Sequence, residues 1–161
     1  FPIPGLADSR HVVDSTAILS LKEQPKRLAI IGGGNIGLEF ASLYAKLGSQ
    51  VVVYEAAPAI LGRYEPTVAQ LAKSYLEEDG VTFHLSASVE EISNDEADQV
   101  LVKANGETKA FDVLLYAMGR KPATEKLGLE HTDIDITERG AIKVNDYCQT
   151  SVDFKNHYYL Y

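Results

Sequence analysis

Apolar and polar positions fall into short blocks along the chain, and the period of each block points to an element. Arg27-Leu28-Ala29-Ile30-Ile31 is a compact apolar run ending on glycine, the pattern of a parallel strand covered on both faces. From Ile36 to Leu47, Ile36, Phe40, Leu43, Tyr44 and Leu47 recur at helical spacing, and Gly48 stands where a left-handed cap closes a helix. Gln50-Val51-Val52-Val53-Tyr54-Glu55 is a second β-branched run, so the three blocks form a βαβ unit with a right-handed crossover. A second helix is predicted over Glu65 to Asp79, from Val68, Leu71, Ala72, Tyr75 and Leu76, followed by Gly80 and the short strand Val81-Thr82-Phe83-His84-Leu85.

The period then changes. Val89 to Phe111 reads as short strands broken by Ser93-Asn94-Asp95 and Asn105-Gly106, the latter a hairpin signal, so a small antiparallel meander is expected. Asp112-Val113-Leu114-Leu115-Tyr116-Ala117 restores a buried strand running into Gly119. Ahead of all this, Phe1-Pro2-Ile3-Pro4-Gly5 reads as an extended lead-in. The expected fold class is α/β: a Rossmann-like parallel sheet with flanking helices and a small antiparallel β-meander.

With 161 residues and 45% hydrophobic content the chain can bury one core. Fifteen Lys and Arg against 23 Asp and Glu leave a net charge of −8, which opposes broad contact with nucleic acid or an anionic membrane, so neither is expected as a partner. No apolar run approaches the ~20 residues of a membrane span, and no signal peptide pattern opens the chain, so a soluble, cytoplasmic protein is expected. Cys148 is the single cysteine, which excludes an intramolecular disulfide, a Cys-x-x-Cys pair and a cysteine zinc site. The four histidines are too scattered to suggest a metal, and no metal ligand is assigned.

Chemistry enters at Gly32-x-Gly34-x-x-Gly37, between a predicted strand and a predicted helix. There Gly32 permits a tight turn, Gly34 lets backbone approach a pyrophosphate, and Gly37 lets helix and strand pack closely. Amides at the helix start and its positive dipole end attract the diphosphate. A ligand-free glycine turn would look the same, but Glu55 ends the second strand where a ribose-binding acid is expected. Its charge would oppose a 2′-phosphate by on the order of 4 kcal/mol at 4 Å and an effective dielectric of ~20, so NAD(H) is favoured over NADP(H). Ala56 and Ala57 supply no compensating cation, although Arg63 lies a few residues on. A methyltransferase also combines a glycine turn with an acid, but usually carries an acidic residue before the glycines, where Ala29-Ile30-Ile31 is wholly apolar.

The run Ile31-Gly32-Gly33-Gly34-Asn35-Ile36-Gly37-Leu38-Glu39-Phe40-Ala41 resembles the NAD(P)-binding domain of the pyridine nucleotide-disulfide oxidoreductases. Pro58-Ala59-Ile60-Leu61 and Tyr116-Ala117-Met118-Gly119-Arg120-Lys121-Pro122 are similar to two further stretches of that family, as are the Pro4-Gly5 lead-in and the tail from Gly140 to Thr150. The resemblance implies cofactor-binding roles for Gly32, Gly33, Gly34, Asn35, Ile36, Gly37, Leu38, Glu39, Glu55, Val89 and Gly119. Glu39 would sit beside the nicotinamide, Val89 against the adenine, and Gly119 near the nicotinamide end. Bottom-up logic alone reads Glu39 as a solvent-facing helix acid. Asn35 stands where many members place a gating tyrosine, and Ala123 where an asparagine is usual.

The resemblance further implies an FAD-containing parent chain, a homodimer with separate FAD and dimerisation domains, of which this chain would be an excised part. It implies no catalytic acid, base or nucleophile within the chain and no turnover by it alone. The expected division is a lead-in connector over 1–26, an NAD(H)-binding core over 27–122 and a segment over 123–161 returning toward the FAD domain. Asn156-His157-Tyr158-Tyr159-Leu160-Tyr161 would be a strand entering that domain, frayed or added to a neighbour's sheet edge when alone. The other reading is a free-standing NAD-responsive binding or regulatory module.

Overall fold

The computed structural model describes residues 3–152, and the expected strand at 156–161 lies outside them. Residues 3–119 and 120–152 belong to two separate compact units.

The first unit is built on a five-stranded parallel sheet. Its strands are β1 (Val12–Val13), β2 (Arg27–Ile31), β3 (Gln50–Tyr54), β4 (Thr82–His84) and β8 (Val113–Tyr116), in the order β1-β8-β2-β3-β4. Between β2 and β3 lies α1 (Asn35–Lys46), and between β3 and β4 lies α2 (Pro66–Glu78). Both predicted helices therefore form, each within a residue of its expected ends. Gly48 (φ 94°) and Gly80 (φ 93°) take the left-handed conformation that stops them. Glu65 caps α2 by accepting the Val68 N–H, with Pro66 at the first helical position.

The meander is a separate antiparallel sheet of β5 (Val89–Asn94), β6 (Val100–Ala104) and β7 (Glu107–Phe111). Asn105 (φ 50°) and Gly106 (φ 79°) both adopt positive φ at the β6–β7 turn, as a tight hairpin demands.

Alternation along β2 sorts the core into two layers. Leu28 and Ile30 join Leu38, Ala41 and Tyr44 of α1 and Leu76 of α2 on one face. Ala29 and Ile31 join Ile92, Val100, Val102 and Phe111 of the meander on the other. The helices thus share one face because both crossovers step the same way across the sheet with the same hand, and the meander covers the second face in place of further helices.

The segment expected to be a connector is part of this packing. Val12 and Val13 pair in parallel with Leu114 and Leu115 of β8, and Ile18 is buried in the helix-side core. The Pro4 carbonyl accepts the Ile92 N–H at 2.9 Å. Two strand residues carry no period to read, so tertiary pairing alone reveals β1. The compact unit also closes at Gly119 rather than at 122. In the second unit, Ile136 bridges Ile142, Thr124 Oγ1 donates to the Gly140 carbonyl, and the Asn145 side chain accepts the Tyr147 and Gln149 amides.

Two contacts fix the centre of the first unit. A Cβ on Gly37 would lie 2.1 Å from the Gly32 carbonyl oxygen, so α1 can seat on β2 only with glycine there. At the opposite end of the sheet, Asp112 Oδ2 accepts the Lys26 and Arg27 N–H groups at 2.8 and 2.9 Å, and Gln99 Nε2 donates to Oδ1. Burial pushes the Asp112 carboxyl up, but the Arg27, Gln99 and Lys26 hydrogen bonds outweigh it and hold the group below its ordinary value.

Gly37→Ala should therefore destabilise the fold by about 1–3 kcal/mol in urea unfolding, because the clash is with backbone. Because Asp112 is lowered in the folded state, its contribution is complete above the ordinary carboxylate pKa and vanishes as pH falls through the lowered one. The stability gap between the protein and Asp112→Asn should be widest near pH 6 and narrow steadily below pH ~4; a gap independent of pH would show that the carboxylate charge contributes nothing.

Candidate functional site

The chain steps from β2 to β3 on one side and later returns to β8 on the other, so β2 and β8 flank a topological switch point. Ligands of open α/β sheets bind in the crevice outside the carboxyl ends of strands at such a point. A cleft of about 690 Å³ lies there, between the glycine turn after β2, the loop after β3 and the residues that follow β8.

The three motif glycines do different work. Gly32 has φ 113°, and a Cβ there would lie 2.6 Å from the Ala117 carbonyl oxygen, so the turn and the exit of β8 require glycine. Gly37 is required by the helix approach described above. Gly34 is required by neither: its φ of −85° suits any residue, and no atom lies within 4 Å of where its Cβ would be. It opens directly onto the cleft.

Gly34 is also the N-cap of α1, and having no side chain it leaves the first-turn amides uncapped. The first helical bond runs from the Leu38 N–H to the Gly34 carbonyl at 3.0 Å. Donors and the positive dipole end of a twelve-residue helix therefore face the cleft.

Glu55 is held from several directions. Its N–H donates to the His84 carbonyl and its own carbonyl accepts the Ala87 N–H, both at 2.9 Å. The preceding Tyr54 is buried, stacks on His84 at 5.1 Å and meets Phe111 edge-on. Burial, with Glu107 nearby, pushes the Tyr54 phenol up to about 12, so it stays neutral. Burial and then Lys109 push His84 down, against a smaller upward pull from Glu107. The Glu55 carboxylate reaches back to the glycine turn: Oε2 accepts the Gly33 N–H at 2.6 Å and Oε1 the Ala57 N–H at 2.7 Å. One acid thus lines the cleft and braces the turn that forms its floor.

Of the residues singled out by sequence, Gly33, Gly34, Asn35, Ile36, Glu55 and Gly119 line this cleft, and Gly32 and Gly37 shape its backbone. Leu38, Glu39 and Val89 are not among the lining residues. Leu38 is 7% exposed and packs in the helix-side core, since its position on α1 turns it toward the sheet. Glu39 is exposed one turn beyond Asn35, and its carboxylate makes no hydrogen bond or ion pair among the described residues. Val89 opens β5, is partly buried against the meander core, and pairs with Ala104.

The cleft also contains residues that the motif did not announce. Leu61, Gly62, Arg63 and Tyr64 form one wall of it, and Ala117 also lines it. Leu61 N–H donates to the Gly33 carbonyl at 2.9 Å, and Asn35 Nδ2 donates to the Tyr64 hydroxyl at 2.9 Å. An aromatic residue outside any periodic block, just before the Glu65-Pro66 helix start, was the available signal for Tyr64. Arg63 brings a cation to the same cleft as Glu55. Among the described residues no cluster of three or more metal-ligating side chains occurs, and no helix is long and apolar enough to cross a membrane.

A family model described as pyridine nucleotide-disulphide oxidoreductase matches residues 1–154. The probable pyridine nucleotide-disulfide oxidoreductase RclA of Escherichia coli (strain K12) is 45% identical over 152 residues, covering 94% of this chain and 34% of that protein. Dihydrolipoyl dehydrogenase of Geobacillus stearothermophilus is 41% identical over 155 residues, covering 93% of this chain and 33% of its own length. Among solved structures, the Cu(II) complex of the HOCl-induced flavoprotein disulfide reductase RclA from Escherichia coli superposes with a TM-score of 0.86 at 44% identity, over 95% of this chain and 35% of that one. The water-forming NADH oxidase from Lactobacillus brevis bound to NADH gives 0.79 at 25% identity, over 94% of this chain and 34% of that one. The chain spans about a third of the length of the curated relatives it matches. With the family model matched across nearly its whole length, the chain belongs to the pyridine nucleotide-disulfide oxidoreductase family.

Proposed function

We propose that this chain binds NAD(H) and presents it for hydride transfer to the flavin of an FAD-dependent oxidoreductase. The observation that carries the reading is Gly34: the fold has no use for a glycine there, whereas a diphosphate approaching the uncapped start of α1 does. An open Cβ position facing a cleft is what a close backbone–phosphate approach requires, so the residues present fit the cofactor.

In this reading the α1 amides after Gly34 hold the pyrophosphate, with Arg63 supplying a nearby positive charge. The Glu55 carboxylate accepts from the adenosine ribose while keeping its grip on Gly33 and Ala57, because each oxygen has a second lone pair. Gly119 stays free of a side chain at the opposite end of the cleft. When bound, NADH supplies the hydride; the chain's own residues bind and orient it and contribute no acid, base or nucleophile. FAD, the further domains that hold it and a homodimeric parent belong to the same proposal. The glycine turn and its acid would suit FAD as well as NAD(H); the family likeness of Gly119 and of the stretch around Glu39 favours NAD(H).

Calorimetry with NADH, NADPH and FAD in parallel tests this. Gly34→Ala should leave the melting temperature unchanged and weaken NADH binding by about tenfold, on the order of 1.4 kcal/mol. Preferential binding of FAD, or equal affinity for NADH in Gly34→Ala, would overturn the reading. Glu55→Gln keeps an acceptor for the Gly33 amide but removes the charge. It should shift the NADPH-to-NADH affinity ratio toward NADPH by about tenfold or more, since only part of the ~4 kcal/mol repulsion need be relieved.

A further inference from the structure

We infer that Asn35 and Tyr64 form a clasp across the mouth of the glycine cleft, which an entering dinucleotide must part. The inference rests on the cofactor reading above.

The two residues line the cleft from different segments of the chain. Asn35 is the first residue of α1, beside the uncapped amides, and Tyr64 ends the Leu61–Tyr64 stretch that lines the same cleft. Two hydrogen bonds tie that stretch to the turn and the helix start, and one more folds it on itself. Leu61 N–H donates to the Gly33 carbonyl at 2.9 Å, and Tyr64 N–H donates to the Leu61 carbonyl at 2.8 Å. The third, from Asn35 Nδ2 to the Tyr64 hydroxyl at 2.9 Å, joins two side chains that line the cleft.

These bonds differ in how readily they yield. The first two are between backbone groups, and they hold Leu61 at φ 52°, a left-handed conformation that a residue with a branched side chain takes only under constraint. A Cβ on Gly33 would lie 3.0 Å from Ile60 Cγ2, so the wall is also packed tightly at its base. The third bond joins two exposed side chains, and Tyr64 is 52% exposed, so water can replace it at small cost. Opening is therefore a swing of the Tyr64 side chain about a fixed base.

The chemistry of the ligand supplies the driving force. Asn35 Nδ2 now donates to a neutral phenol oxygen, and a phosphate oxygen beside the same helix start is a stronger, charged acceptor. Entry of a dinucleotide exchanges a neutral hydrogen bond for a charge-assisted one and frees the phenol. The clasp thus gives the Asn35 side-chain amide a partner before the cofactor arrives, while the amides of the helix start stay uncapped.

Tyr64→Phe keeps the ring and removes the clasp. In stopped-flow binding of NADH the variant should associate faster and bind tighter by roughly two- to tenfold, the factor that one net hydrogen bond supplies. In the protein without cofactor, the Asn35 side-chain amide resonances should shift in Tyr64→Phe, and NADH added to the unsubstituted protein should abolish their contact with the Tyr64 ring. Unchanged association overturns the clasp. Weaker binding by Tyr64→Phe also overturns it, by showing that Tyr64 holds the cofactor rather than screening it. If the unsubstituted protein binds no NADH, the cofactor reading fails and takes the function of the clasp with it. The Asn35 resonances still report whether the bond itself exists.

Discussion

The approach of α1 to the end of β2 is the constraint on which the rest of the site depends. Gly37 and the Gly32 carbonyl sit so close that any side chain at 37 would begin inside the oxygen's contact distance. That closeness brings the helix start to the carboxyl end of the sheet, where its dipole and its uncapped amides reach the same cleft as Glu55. A displaced helix would keep its hydrophobic face against Leu28 and Ile30 yet lose its aim.

Glu55 ties the end of β3 to this arrangement. Its carboxylate is bonded to Gly33 and Ala57, so the acid that lines the cleft also holds the glycine turn in shape, and under the proposed NAD(H) reading the same group would disfavour a second phosphate on the ribose. Structure and discrimination are then difficult to separate by truncation. An acid removed outright leaves the Gly33 amide without its partner, and affinity falls for reasons unrelated to specificity. The support behind Glu55 has the same double character. The Tyr54–His84 stack and the His84 carbonyl fix the end of β3, and they do so through the meander core rather than through the cleft.

The division of the two sheet faces explains how a small unit can present so open a cleft. One face is sealed by α1 and α2 and the other by β5–β7, so the buried strands owe nothing to the ligand for their stability. The wall contributed by Leu61–Tyr64 joins the helix-side core at its base, where Ile60 is buried and Leu61 packs against the cluster, while Gly62, Arg63 and Tyr64 are exposed. It is consequently the part of the site held by a few hydrogen bonds rather than by packing, and the part whose conformation a ligand can change at least cost.

Much of this was legible in the chain alone, and the reason differs from element to element. The periods at 36–47 and 65–79 marked both helices, the apolar runs at 27–31, 50–55 and 112–117 marked the central strands, and Asn105-Gly106 marked a hairpin, because each pattern is local and repeats. The glycine spacing and Glu55 located the cleft because their chemistry demands particular residue types at particular separations. Tertiary structure decided the rest. Val12–Val13 became a strand through pairing with β8, Leu38 turned to the core while Asn35 faced the cleft, and Val89 stayed with the meander. Tyr64 reached Asn35 across 29 positions. Contacts of that kind follow from how packed elements meet, which local periodicity does not encode. The sequence by itself determined both helices, the central strands and the place of the glycine turn and its acid; only the folded arrangement decided which side chains meet there.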